Sequence, residues 1–166
     1  MYRGEAIKGD SKREFYQEFL RHAEGLLADE RNWIANLANI SSLLFYQLDE
    51  LNWAGFYLHD SDELVLGPFQ GKPACTRISV GQGVCGTAAQ KRKTQLVANV
   101  QEFPGHIACD PASKSEIVVP LLKGDELLGV LDLDSPVYDR FDEEDSKHLN
   151  ELVDLLIQSS DIDALM

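Results

Sequence analysis

Apolar residues recur at helical spacing in two stretches near the start of the chain and alternate with a period of two through most of the rest. Ser11-Lys12-Arg13-Glu14 has the spacing of a capping box, and Phe15, Phe19, His22 and Leu26 continue from it as a helical stripe. Asp29 is placed to cap a second helix carrying Trp33, Leu37, Ile40 and Leu44. A strand is predicted from Asn52 to Leu58, with Trp53, Gly55 and Tyr57 on one face and Ala54, Phe56 and Leu58 on the other. Leu64 to Phe69 follows as its hairpin partner across Asp60-Ser61-Asp62. A further strand is predicted from Cys75 to Ser79. Gly81-Gln82-Gly83 then turns into a short helix from Val84 to about Gln90.

A short strand at Gln95 to Ala98 precedes the least regular stretch, Asn99 to Lys114, a length of irregular chain that commonly carries function. Ser115 to Leu122 and Glu126 to Asp134 form a clear hairpin across Lys123-Gly124-Asp125. Asp142 is placed to cap a closing helix through Leu152, Leu155 and Leu156. The order contains no regular strand-helix-strand repeat, which excludes a doubly wound parallel sheet. It predicts an α+β fold: one domain, with an antiparallel sheet flanked by N- and C-terminal helices. The outward helical stripe also leaves room for a homodimer interface.

Composition narrows the partners more than the fold. The chain has 166 residues, enough for one core, and a formal net charge of -13. That charge argues against binding to nucleic-acid backbones or anionic membranes. No apolar run approaches the roughly 18 residues of a membrane span. The opening residues lack the apolar core of a secretory signal. Three cysteines cannot all pair within one chain, and the expectation is a cytoplasmic protein with reactive or free thiols.

The cysteines and acids supply the candidate chemistry. Cys109 lies in the polar loop Pro104-Gly105-His106-Ile107-Ala108-Cys109-Asp110 and reads as a residue near solvent. Cys85 falls near a predicted helix start, where the peptide dipoles would favour a thiolate. If Gly124 centres the hairpin turn, Glu116 opposes Asp132, and Asp134 returns to the same face two residues on. Facing carboxylates need a proton, a cation or a positive substrate group between them. A substrate ammonium can meet one acid while another stays protonated as a general acid. Solvent-facing acids and a divalent metal site remain alternatives to that reading. Trp53 and Tyr57 are in register to wall such a pocket, or simply to pack in the core. His106 reads as a surface residue near Cys109. The cysteines lack zinc-ligand spacing and a Cys-x-x-Cys pair.

These residues coincide with a known pattern. From about Ser11 to Ile157 the chain resembles the free methionine-(R)-sulfoxide reductase family, small enzymes built on a single GAF domain. The resemblance is carried by Asn52-Trp53-Ala54-Gly55-Phe56-Tyr57, Gly67-Pro68-Phe69-Gln70-Gly71-Lys72-Pro73-Ala74-Cys75 and Gly81-Gln82-Gly83-Val84-Cys85-Gly86. It continues through Phe103 to Asp110, Ser115 to Pro120 and Gly129 to Ser135. It implies one GAF domain across residues 1–166, with its core at about 11–157. It implies Cys109 as the catalytic cysteine, Cys75 as its principal resolving partner and Cys85 as an auxiliary thiol. Glu116, Asp132 and Asp134 fall on substrate-binding acids, with Glu116 or Asp134 as proton donor. Trp53 and Tyr57 match aromatic pocket residues, and backbone N–H groups between Asp110 and Ser115 are expected to receive the substrate carboxylate. No cofactor or metal is expected to be bound. Thioredoxin or an equivalent dithiol would recycle the enzyme, with NADPH consumed upstream. A sensory GAF domain without turnover and a metal-dependent enzyme are the competing readings.

Overall fold

Short polar side chains at the chain's turns decide where the helices begin. In the computed structural model, which describes residues 5–107 and 109–162, the Ser11 side chain accepts the Glu14 N–H and opens α1, Lys12–Leu27. The Glu14 carboxylate reaches back to the Asp10 N–H, one residue before the predicted partner. Met1 to Gly4, Ala108 of the cysteine loop and residues 163–166 lie outside the described residues. The buried stripe of α1 is Tyr16, Phe19, Ala23 and Leu27, so Phe15, His22 and Leu26 flank the core instead of forming it.

Asn32, not Asp29, caps α2 (Trp33–Gln47), because its carboxamide oxygen accepts the Ala35 N–H three residues on. Trp33, Leu37, Ile40 and Leu44 are buried as the periodicity requires. Asp142 caps α4 (Glu143–Ser159) in a complete capping box with Asp145. Asp145 is itself buried, where it accepts from the Tyr16 hydroxyl and Lys12 Nζ and so ties the two terminal helices together.

Between these helices run β1 (Trp53–Asp60), β2 (Glu63–Gly71), β3 (Arg77–Ser79), the short helix α3 (Gly83–Lys91), β4 (Gln95–Val97), β5 (Ser115–Lys123) and β6 (Glu126–Ser135). The strands form one antiparallel sheet in the order β3-β2-β1-β6-β5-β4. One face carries Ala54, Phe56, Ile117, Val119, Leu131 and Leu133 into the core formed with α1, α2 and α4. The other carries Tyr57, Val118 and Val130 against Val84, Cys85 and Ala88 of α3. Seven successive residues of β5, Ser115–Leu121, are therefore buried, as expected of a strand covered on both sides. Cys75 lies in the loop before β3, since that strand is only three residues long.

The hairpin register differs from the predicted one by two. Lys123 pairs with Glu126 across a two-residue turn that begins at Gly124, with φ of 62°. Next to the turn the displacement is only one residue, which by itself would move every side chain of β6 to the opposite face. A bulge between Leu121 and Leu122 leaves Leu128 as an extra residue and restores the facing. Glu116 consequently opposes Asp134, and Val118 opposes Asp132, while all three acids stay on the α3 side. Gly129, next to the bulge, lets β1 approach, because a Cβ there would stand 2.2 Å from the Tyr57 carbonyl oxygen.

Gly129→Ala should therefore destabilise the fold by about 2 kcal/mol, the usual cost of overpacking against unyielding backbone. For a chain of this size that lowers Tm by roughly 4–8 °C. Thermal unfolding of the variant checks it, and an unchanged Tm would show that β1 and β6 can separate at the bulge.

Candidate functional site

The site is a floor of acids under a cap of loops. Register places Asp132 beside Gly55 on one side and Val118 on the other, and Asp134 between Trp53 and Glu116. Glu116 and Asp132 are each 5% exposed, and Asp134 is half-buried. Cys85, held at the start of α3, points its thiol at Glu116, with Sγ to Oε1 at 3.9 Å. His106 comes from the Cys109 loop, and its Nε2 lies 3.7 Å from the other Glu116 oxygen. Asp132 Oδ1 is buried and has no hydrogen-bond partner among the described residues.

An aromatic wall stands at the edge of this floor. The Trp53 ring stacks on Tyr57 at 5.8 Å and on Phe69 at 5.2 Å. Phe69 can come this close because Gly55 has no side chain; a Cβ there would sit 2.3 Å from Phe69 Cβ. The polar ends of the first two rings hold the cap. Trp53 Nε1 donates to the Lys72 carbonyl, and the Tyr57 hydroxyl donates to the Cys75 carbonyl. Phe69 was not singled out as a site residue, although its position beyond Gly67-Pro68 at the β1–β2 register shift is what turns it inward.

The cap closes through a disulfide between Cys75 and Cys109, with Cα atoms 5.9 Å apart. Cys109 is exposed and Cys75 half-buried, so the bond is open to attack from solvent. The Cys109 loop is moored by Asp110, whose carboxylate accepts from the Asn52 side chain and from the Ala112 N–H. Asn52 also donates to Ser113 Oγ, and Lys72 Nζ lies 3.4 Å from Asp110. The Ala112 N–H, followed by Asn52 and Lys72, keeps the Asp110 carboxyl below its ordinary range. The sequence pattern assigns neither Asn52 nor Ser113 a place in the site. The one local signal is the Asp110 to Ala112 spacing, which makes an Asx turn.

Two sequence expectations fail here. The Ala112, Ser113 and Lys114 N–H groups all donate within the protein, to Asp110 Oδ1, the Asp110 carbonyl and the Ser135 carbonyl, and Pro111 has none. That loop therefore offers little to an incoming carboxylate. Cys85 is not primed as a thiolate either. Burial raises its pKa well above the usual value, and Asp132, Glu116 and Asp134 push in the same direction. Three acids and a dry environment outweigh a helix terminus equivalent to about half a charge.

The acids bear the same burden. Burial raises all three carboxyls, with the charge of Asp134 adding to Glu116, that of Glu116 to Asp132, and that of Asp132 to Asp134. His106 offers little compensation, because burial lowers its pKa. The cluster accordingly holds its protons more tightly than free carboxyls do, which suits it to donate one and to attract a cationic group. With the disulfide closed, the floor and cap enclose about 40 Å³ of free space, room for a water or two.

Comparison with known proteins agrees with this arrangement. The GAF domain family matches residues 35–158. The chain is 53% identical over 143 residues to the free methionine-R-sulfoxide reductase of Escherichia coli (strain K12), covering 86% of this chain and 87% of that protein. It is 54% identical over 151 residues to GAF domain-containing protein A of Dictyostelium discoideum, with 90% and 95% covered. The structure of free methionine-R-sulfoxide reductase from Neisseria meningitidis in complex with its substrate superposes with a TM-score of 0.88 at 47% identity, covering 92% of each chain.

The proton burden makes a stability prediction. A carboxyl raised in the folded state binds its proton more tightly there than in the unfolded chain. Its contribution to stability is complete below the ordinary carboxylate pKa of about 4 and is lost as pH rises through the raised value. Asp132→Asn removes one such group. The variant should be more stable than the parent at pH 8, by about 1–2 kcal/mol, with the advantage shrinking toward pH 4. Tm measured across that range checks it; an advantage that grows on acidification would mean Asp132 is ionised and paired.

Proposed function

Because the chain belongs to the GAF domain family, with free methionine-R-sulfoxide reductases among its relatives, we propose that it reduces free L-methionine-(R)-sulfoxide to L-methionine. The observation that carries this reading is the Cys75–Cys109 disulfide lining the same pocket as three buried or half-buried carboxyls. The bond is the expected end state of a turnover, and the acids are what a sulfoxide oxygen and an amino-acid ammonium require.

Turnover begins once the disulfide is reduced, which frees the Cys109 thiol to act. The Cys109 thiolate attacks the electrophilic sulfur of the sulfoxide. Glu116 or Asp134 donates a proton to the sulfoxide oxygen. In the Cys109–substrate adduct the protonated oxygen passes to the Cys109 sulfur as the transient S–S bond and the substrate S–O bond break. Methionine departs with the electron pair, and Cys109 is left as the sulfenic acid, two electrons oxidised. The Cys75 sulfur then attacks Cys109, and the hydroxyl departs as water with the Cys75 proton. Thioredoxin, or an equivalent dithiol, attacks the accessible disulfide and restores both thiols, with NADPH spent upstream. No bound cofactor takes part in these steps. Cys85, buried and held protonated, is a poor substitute for Cys75. A cycle of this kind suits a reducing, cytoplasmic setting.

Specificity follows from the floor. Asp132, with its unpartnered oxygen, receives the substrate ammonium. The start of α3 borders the same space at Gln82, Gly83 and Val84, and Gln82 makes no side-chain cap there. The first N–H groups of that helix, which have no acceptor within the helix, are suited to the substrate carboxylate. Trp53 and Tyr57 enclose the methyl-thioether end. A peptide-bound sulfoxide has neither free group and leaves these partners unmatched.

NADPH consumption coupled to thioredoxin should proceed with the free R compound and not with the S epimer or a peptide-bound sulfoxide. Cys109→Ser should abolish it. Glu116→Gln should lower kcat by roughly 10²–10⁴-fold if Glu116 is the donor; if instead only Asp134→Asn does so, the donor is Asp134. Cys75→Ser should release one methionine per chain and then stall with thioredoxin. No turnover of any sulfoxide by the reducible parent would leave a redox-reporting GAF sensor as the better reading.

A further inference from the structure

We propose that Cys85, Glu116 and Asp132 form a binding site for a thiophilic divalent cation of the zinc class, and that its occupation excludes the amino-acid substrate. One ligand atom from each of the three residues lies within 4.8 Å of the other two, and all three side chains are buried. The Cys85 Sγ to Glu116 Oε1 separation is 3.9 Å. In a tetrahedral zinc centre, with bonds of about 2.3 Å to sulfur and 2.0–2.2 Å to oxygen, neighbouring ligands stand about 3.5 Å apart. The closure required is a few tenths of an ångström along this edge. Three separate elements, α3, β5 and β6, supply the ligands, so the fold holds them together before any ion arrives.

A second observation points to a ligand at this place. Asp132 Oδ1 is buried, borders the cavity and has no hydrogen-bond partner among the described residues. An orphaned carboxylate oxygen in a dry site is costly unless a positive group meets it. The free space of about 40 Å³ beside it accommodates an ion and one water as the fourth ligand, the open arrangement of three protein ligands plus solvent. A thiolate in the set selects zinc-like ions over magnesium or calcium, which prefer oxygen ligands. His106 adds an outer partner, lying against the second Glu116 oxygen.

Binding changes no oxidation state. The Cys85 thiol proton and any proton shared by the two carboxyls leave to solvent as the metal–ligand bonds form. The ion and the substrate ammonium require the same Asp132 oxygen, so they are mutually exclusive. The site goes beyond the reductase reading and is defined without turnover, so it can be tested even if that reading fails.

The test uses the disulfide form of the full chain, in which Cys85 is the one thiol left of three. Cadmium is titrated in, and the ultraviolet thiolate-to-cadmium charge-transfer band is recorded, with zinc added afterwards as competitor. The band should saturate at one ion per chain and vanish on zinc addition. Cys85→Ser should lack it, and Asp132→Asn, which keeps the thiol and relieves a buried charge, should need at least about tenfold more cadmium. No band in the parent, a band surviving in Cys85→Ser, or an Asp132→Asn midpoint within about twofold of the parent would each overturn the proposal.

Discussion

Three acids of like charge share one dry sheet face, and the surrounding structure answers to that constraint. Glu116, Asp132 and Asp134 come from adjacent strands, and among the described residues the positively ionisable group in ion-pair range of them is the partly desolvated His106, beside Glu116. The face is kept dry from above by the cap and from the side by stacked aromatic rings. Cys85 and α3 close it from behind. The opposite face compensates for the lost stability, since it packs the sheet against three helices through fully buried residues such as Phe56, Leu131 and Ile117. One side of the sheet supplies stability and the other holds chemistry. This division is how a small fold keeps groups that would otherwise destabilise it.

The same face depends on a register compensation. A two-residue turn and a one-residue bulge each flip side-chain direction, and together they restore it. Without the Leu128 bulge, Asp132 and Asp134 would point into the helical core, where the unpartnered charges would be far more costly. Gly129 beside the bulge and Gly55 on β1 let backbone and ring approach where a side chain would obstruct them. The glycines therefore serve the site as well as the sheet, by fixing where the acids and Phe69 end up.

Redox state acts on this arrangement through the cap. The loop bearing Cys75 is held by Trp53 and Tyr57, and the loop bearing Cys109 by Asn52 and Asp110. Both anchors come from β1 or the residue before it, so opening the disulfide need not unfasten either loop at its base. The free thiol, Cys85, belongs to the floor instead. Its neighbours hold it as a protonated donor to Glu116, or, with a metal ion present, as a ligand.

Much of the fold was legible because its signals are local. The apolar runs of β1 and β5, the Asp142 cap and the stripe of α2 each depend on residues close in sequence, and each appears where the pattern put it. The face shared by the three acids was also legible, since parity survives an error of two in register. The pairing within that face was not, because a bulge is selected by the approach of a third strand. Asp29 lost the second cap to Asn32, whose side chain lies at the right distance from a free N–H. The helix-start argument for Cys85 failed for a related reason. A dipole can be read from position along the chain, but the three carboxyls opposing it arrive from β5 and β6. The sequence alone determined which residues could do chemistry and which strands would carry them. Tertiary structure alone decided their pKa shifts, the Asn52 mooring and the orphaned Asp132 oxygen, because burial and charge depend on neighbours that are distant in the chain.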